Sequence, residues 1–166
     1  MLKSASGHRG KKGNLIAWPD AGIQSRHGLI YGREFGWDQT IEVLTAEIMA
    51  AFVRNFDPKR ECGWIAERNG QNVGCVFLVK DTETVARLRL LLVDPAARGR
   101  GLGTKLTDEC VRFARACGYQ GITLWTHSIL TAARLIYERA GFRLTSSEKR
   151  MSFGKDVVSE YWDLKF

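Results

Sequence analysis

The chain has 166 residues, 45% hydrophobic and 26% charged, which suits one domain with its own core and leaves no room for two ordinary ones. Its net charge of +7, from 25 basic and 18 acidic residues, suits a polyanionic ligand, an acidic partner or nucleic acid. No apolar run reaches the ~18 residues of a membrane span, and no apolar segment follows the basic N-terminus, so neither a membrane span nor a secretory signal is expected.

In chain order, residues 1–13 carry Lys3, Arg9, Lys11 and Lys12 among small residues and read as a flexible basic arm. That leaves 14–166 as a single domain. Asn14–Trp18 predicts a strand and Pro19-Asp20 a turn. Tyr31–Trp37 reads as a short helical piece. Asp38 is placed to cap a helix over 39–55, where Ile41, Leu44, Ile48 and Phe52 recur at helical spacing. The period then changes. Gly63–Arg68 and Asn72–Lys80 read as strands joined at the hairpin signal Asn69-Gly70. Val85–Val93 is a third strand, stopped by Asp94-Pro95. Leu102, Leu106, Cys110, Phe113 and Cys117 mark one face of a helix closed by Gly118. Ile122–Thr126 predicts a strand, Ser128 a cap for a helix over 129–140, and Phe142–Phe153 and Val157–Phe166 two final strands.

The strand–helix–strand step over 85–127 implies a right-handed crossover and parallel pairing. The expected fold is therefore mixed α/β (α+β), with a mostly antiparallel central sheet of about six or seven strands flanked by helices. The cysteines, Cys62, Cys75, Cys110 and Cys117, form no C-x-x-C pair and have no histidine at ligand spacing. They read as small buried hydrophobes of a reducing cytoplasm, and no metal is expected.

The strand Val85–Val93 runs directly into Arg98-Gly99-Arg100-Gly101-Leu102-Gly103-Thr104-Lys105 and then a helix. Glycines let a backbone turn its N–H groups inward, and inward amides at a helix N-terminus form an anion cradle. Arg98, Arg100 and Lys105 add charge at the rim, and a pyrophosphate is the natural guest. The order Gly103-Thr104-Lys105 is wrong for a Walker A loop, and Gly99-Arg100-Gly101 is not continued as G-x-G-x-x-G. R-x-x-G-x-G, at Arg98, Gly101 and Gly103, does fit.

The stretch Leu88–Lys105 resembles motif A of the GNAT superfamily of N-acetyltransferases. A second segment, Ala133, Ile136-Tyr137-Glu138 and Ala140-Gly141-Phe142, is similar to the family's A-x-x-L-Y-E-x-x-G-F signature. The resemblance covers 63–166. A narrower likeness, to the acetyltransferase half of bacterial MarR-type regulator–acetyltransferase fusions, rests on Arg26-His27-Gly28, Tyr31, Glu34-Phe35-Gly36-Trp37-Asp38, Trp64-Ile65-Ala66-Glu67, Leu88-Arg89-Leu90-Leu91, Leu124-Trp125-Thr126 and Ser152-Phe153-Gly154. The winged-helix half of such fusions is absent from this sequence, so DNA binding is not carried over and a nucleic-acid partner is not expected. The resemblance implies a cytoplasmic enzyme that moves an acetyl group from acetyl-CoA to an amine of a small molecule or peptide by direct attack. It implies no metal and makes a homodimer one expectation. The alternative is a catalytically inactive domain that senses acyl-CoA or docks onto a partner.

By the same resemblance, the backbone of Leu91, Leu92 and Val93 runs along the pantetheine arm, with one N–H for the oxyanion. Arg98, Gly99, Arg100, Gly101, Leu102, Gly103 and Thr104 hold the pyrophosphate, and Leu130, Ala133 and Tyr137 complete the cofactor site. Tyr137 matches the general acid that protonates the departing thiolate; its other reading is a buried helix tyrosine. Relatives often carry a glutamate base on the strand before the loop, but Val85–Val93 has only Arg87 and Arg89, which stay protonated. These read as anchors for a substrate carboxylate or as solvent-facing or ion-paired residues. His127, Glu34 and Glu67 are the candidate bases, beside a water chain with no dedicated base. Many relatives have asparagine where Leu130 stands, with Ser128 or Thr131 as candidate replacements. Tyr31, Phe35, Trp37, His27 and Glu34 are placed to wall an acceptor pocket or to pack the core. Trp125 and Trp162 read as core.

Overall fold

The computed structural model describes residues 1–4 and 22–166. Along the chain lie β1 (Leu2–Ser4), α1 (Ile23–Phe35), α2 (Thr40–Asn55), β2 (Cys62–Arg68), β3 (Gln71–Lys80), β4 (Val85–Val93), a 3-10 turn at Pro95–Ala97, α3 (Leu102–Ala116), β5 (Gly121–His127), α4 (Thr131–Arg139), β6 (Arg143–Ser152) and β7 (Lys155–Lys165). The strands form one seven-stranded sheet in the order β1-β2-β3-β4-β5-β7-β6. All neighbours are antiparallel except β4 and β5, which α3 joins as a crossover.

Alternation along the strands feeds two cores. Val76 and Leu78 of β3, Ala86 and Leu88 of β4, and Ile122 and Leu124 of β5 pack against Leu106, Cys110 and Ala114 of α3 and Tyr137 of α4. Cys75 and Phe77 of β3, with Ile65 and Leu92, pack instead against Ile23 of α1 and Met49 and Phe52 of α2. Leu106, Cys110 and Ala114 stand four residues apart, one stripe of a helix, and all are fully buried. Burial of each large apolar side chain contributes about 1.5–3 kcal/mol.

Several boundaries differ from the sequence expectation. The helix expected at Tyr31–Trp37 is the C-terminal end of α1, which starts at Ile23. Its inward positions are Ile23, His27 and Tyr31, and the polar run Arg26-His27-Gly28 interrupts the apolar spacing that would have marked the first turns. Asp38 does hold the start of α2: its Oδ1 accepts the Thr40 N–H at 2.9 Å. Ser128 does not cap α4, which begins at Thr131 without a side-chain cap. The Ser128 N–H bonds to the Val158 carbonyl at 2.9 Å, extending the β5–β7 contact. Leu2–Ser4, read as part of the arm, pair with Trp64–Ala66 at the sheet edge. The strand expected at Asn14–Trp18 and the turn at Pro19-Asp20 lie outside the described residues.

Candidate functional site

β4 and β5 pair only from Val85↔Gly121 to Leu88↔Leu124, although β4 continues to Val93 and β5 to His127. A bulge marks the separation. Pairing with β3 slips by one residue between Phe77↔Arg89 and Cys75↔Leu92, and Leu90 takes φ 54°. A left-handed leucine costs roughly 1–2 kcal/mol, and strain of this kind persists where a site needs the altered path.

The split opens two cavities. The first is lined by Leu91, Leu92, Val93, Arg98, Gly99, Gly101, Leu102, Gly103, Thr104, Leu130 and Ala133, as the sequence places them. Tyr31, Glu34 and Phe35 of α1, Ile129, and Thr131, Ala132, Ile136 and Arg139 of α4 complete it. Arg100, expected at the phosphate, is exposed and lines neither cavity. The second cavity is lined by His27, Tyr31 and Trp37, by Ile41, Leu44, Thr45 and Ile48 of α2, by Leu88–Leu91, by Trp125–His127, and by Leu130, Ala133, Tyr137 and Phe153. The two share Tyr31, Leu91, Leu130 and Ala133.

The loop before α3 is braced from several sides. Asp94 accepts the Ala96 N–H at 3.0 Å and Arg26 Nη1 at 2.7 Å, tying the loop to α1. Arg98 donates from Nε to the Val93 carbonyl at 3.1 Å and from Nη1 to Glu34 at 2.7 Å. Gly101 stands at the start of α3 with φ 71°, a conformation glycine adopts without strain. Gly103 is buried, and a Cβ there would lie 2.6 Å from Ile136 Cδ1, so α3 and α4 approach closely. The unpaired first-turn amides and positive dipole end of α3 thus border the first cavity with Arg98 and Arg139.

The second cavity holds buried polar groups without protein partners. Among the described residues, His27 Nε2, His127 Nε2 and Trp125 Nε1 are buried and unbonded. Each such atom costs about 1–3 kcal/mol unless something in the cavity satisfies it. His27 Nδ1 lies 2.7 Å from the Ile23 carbonyl, so the hydrogen-bond pattern assigns the proton to Nδ1 and leaves Nε2 an acceptor. His127 Nδ1 is 3.4 Å from Ser159 Oγ. Burial lowers the His27 pKa to about 4. Burial, assisted by the charge of Arg150, brings that of His127 to about 4 as well. Both rings are therefore neutral at pH 7. Tyr137 is 5% exposed, and burial, with smaller contributions from Tyr31 and Cys110, pushes its phenol pKa well above the usual range. It is a proton donor at any physiological pH.

These histidines set a pH dependence. The unfolded chain binds their protons near the ordinary value of 6.5, whereas the folded chain resists until about pH 4. Stability is thus fully present above about pH 6.5 and falls as pH drops toward 4, by at most a few kcal/mol per ring. Urea midpoints measured from pH 7.5 to 4.5 are expected to decline most steeply across that window. A flat profile would show that the rings are not buried as described.

Other expected site residues fall in different places. Glu34 does not line the second cavity; its carboxylate pairs with Arg98 at the first. Glu67 lines neither cavity. Arg87 is paired with Asp81 at 2.6 Å. Trp125, read as core, is half-buried and lines the second cavity. Alternation on β5 was the available signal, since Trp125 and His127 share a face. His27, read as pocket wall or core, is buried and lines the second cavity with its Nε2 unbonded. Arg139 and the residues from α2 were not anticipated. Among the described residues no three His, Cys, Asp or Glu side chains cluster as metal ligands, and no helix is long and apolar enough to cross a membrane.

The Acetyltransferase (GNAT) family model matches residues 30–142. An N-acetylaspartate synthetase of Danio rerio is 32% identical over 99 residues, covering 59% of this chain and 34% of that protein. A protein of Xenopus tropicalis described as a probable N-acetyltransferase camello is 37% identical over 102 residues, 60% of this chain and 45% of its own length. The chain thus spans between a third and a half of these two relatives. A Bacillus anthracis protein described as a streptothricin acetyltransferase, crystallised with acetyl coenzyme A, superposes with a TM-score of 0.57 at 27% identity, over 64% of this chain and 63% of that one. A Brucella melitensis ribosomal-protein-alanine N-acetyltransferase matches in fold, with a TM-score of 0.72 at 17% identity, over 100% of this chain and 99% of its own.

Proposed function

Because the chain belongs to the GNAT acetyltransferase family, we propose that it transfers the acetyl group of acetyl-CoA to the amine of a small molecule or peptide. The observation that carries this reading is the meeting of the two cavities at Tyr31, Leu91, Leu130 and Ala133, beside the unpaired edge of β4. One cavity suits a long anionic thioester and the other a compact acceptor.

The residues present fit acetyl-CoA. Amides at the start of α3, with Arg98 and Arg139, suit the diphosphate. The freed edge of Leu91–Val93 offers backbone partners to the amide-bearing pantetheine, as a sheet edge does to an added strand. Leu130 presents no polar atom where many relatives have asparagine, so that contact falls to backbone. Acetyl-CoA supplies the activated acyl carbon. A β4 N–H stabilises the oxyanion as the amine nitrogen attacks that carbon. The new C–N bond forms, the C–S bond breaks, and Tyr137 donates its proton to the leaving thiolate. His27 and His127, neutral and with pKa near 4, are too weakly basic to hold the amine's proton at pH 7. They orient the nitrogen by accepting hydrogen bonds, and water removes the proton.

Within the family we place the chain beside the acetyltransferase halves of MarR-type fusions. Of the segments behind that likeness, His27, Tyr31, Trp37, Leu88–Leu91, Trp125 and Phe153 line the acceptor cavity. A reducing, cytoplasmic setting suits the four free cysteines, three of them buried. Calorimetric titration is expected to show saturable acetyl-CoA binding at micromolar levels, and amino acids, polyamines, aminoglycosides or peptides to trigger thiol release. No binding at millimolar acetyl-CoA would overturn the proposal. Binding without thiol release for every amine would make the domain an acyl-CoA sensor.

A further inference from the structure

Arg89 is the cation that the fold leaves over at the acceptor cavity. It is half-buried, lines the cavity, and has no carboxylate within ion-pairing distance among the described residues. Its neighbour Arg87 already holds Asp81 through both Nε, at 2.7 Å, and Nη2, at 2.6 Å. A guanidinium withdrawn from water without an anion is costly, and a carboxylate is its best-matched planar partner. A second donor stands close by. Leu88 pairs with Leu124, so the next residues along the two parallel strands, Arg89 and Trp125, are neighbours at the point of divergence. Trp125 Nε1 is buried with no acceptor. A cation without an ion pair and a buried N–H without an acceptor therefore both line the cavity.

An acceptor of the opposite kind lines the same cavity from α1. His27 is 2% exposed, and its Nε2 lone pair has no donor. Its ring packs edge-on to Tyr31, with centroids 5.7 Å apart, and Tyr31 lines both cavities. His27 thus stands beside one of the residues at the junction with the first cavity. Arg89 precedes the shared residue Leu91 by two positions, at most about 7 Å along the chain across the left-handed Leu90. That spacing suits an amine and a carboxylate a few bonds apart. The remaining wall is apolar, from Trp37, Ile41, Leu44 and Phe153.

We propose that the acceptor is a free amino acid with an apolar or aromatic side chain, its carboxylate held by Arg89 and the Trp125 N–H and its amine by His27. This rests on the acyl-transfer reading above and narrows its substrate. The test compares thiol release with L-phenylalanine, L-methionine and L-leucine, their carboxamides, and 2-phenylethylamine. It uses the unaltered protein and the Arg89→Gln and Arg89→Lys variants, with acetyl-CoA titrated into each. The acids are expected to be preferred over the amides by about 10- to 150-fold in kcat/KM, the range for a charge-assisted contact. Arg89→Gln is expected to erase that preference, mainly through KM of the acid, and Arg89→Lys to retain part of it. Acetyl-CoA affinity should stay within about twofold, since Arg89 does not line the first cavity. Equal turnover of acids and amides, or turnover of carboxylate-free amines alone, overturns the inference and leaves acetyl transfer standing. A preference that survives Arg89→Gln removes Arg89 from it. Acetyl-CoA binding without release from any amine defeats the substrate assignment, and absence of acetyl-CoA binding defeats the parent reading with it.

Discussion

Gly101→Glu is expected to abolish measurable acetyl-CoA binding, by at least about 100-fold, while the domain stays folded. Gly101 is exposed and lines the first cavity, and nothing lies within 4 Å of a Cβ built there. The added Cβ therefore meets no steric clash. It carries a conformational cost of roughly 1–2 kcal/mol, because φ is 71°. It also puts a carboxylate at the dipole end of α3, where the diphosphate would sit. Two like charges a few ångströms apart repel by about 4 kcal/mol at a protein surface, enough for the loss expected. Gly101→Ala has the same backbone cost without the charge and should lose far less affinity. Calorimetric titration with thermal denaturation as the control reads both. Retained affinity in a folded Gly101→Glu protein would place the diphosphate elsewhere.

Tyr137→Phe is expected to lower kcat by about 10²–10³-fold, the usual range for removing a positioned acid. The KM for acetyl-CoA should change by no more than a few-fold, because Tyr137 lines the second cavity and not the first. Stability should hold or rise slightly. Phenylalanine keeps the ring contact with Phe142, centroids 5.8 Å apart, and removes a hydroxyl that bonds to no described residue. Steady-state thiol-release kinetics decide the matter, with urea midpoints as the check on folding. An unchanged kcat would mean that water protonates the thiolate and that Tyr137 is only a packing residue.

The lining of the first cavity was largely legible in the sequence. Its requirements are local: a strand end, glycines, cations and a helix start fall within one stretch, Leu91–Thr104, and backbone geometry does the rest. The fold was legible for a similar reason, since hairpin and period signals act over short distances. The acceptor side was not. Its walls come from α1, α2, β4, β5, α4 and Phe153, and only folding brings these together. Glu34 shows the difficulty. Sequence alone offered it as a base, but it bonds to Arg98, which lies 64 residues further along the chain. His27 was obscured because its polar flanks mask a helical face. The role proposed for Arg89 lies beside a bulge at Leu90, and no periodicity argument reveals a residue that takes positive φ against its own preference.

The parallel seam that closes from Val85 to Leu88 and then stops carries a cost for engineering. Extending it would satisfy more backbone groups, yet it would close the place where the two cavities meet. On the proposed reading, heat resistance and turnover are then set against each other, and directed evolution for stability must find its gains elsewhere.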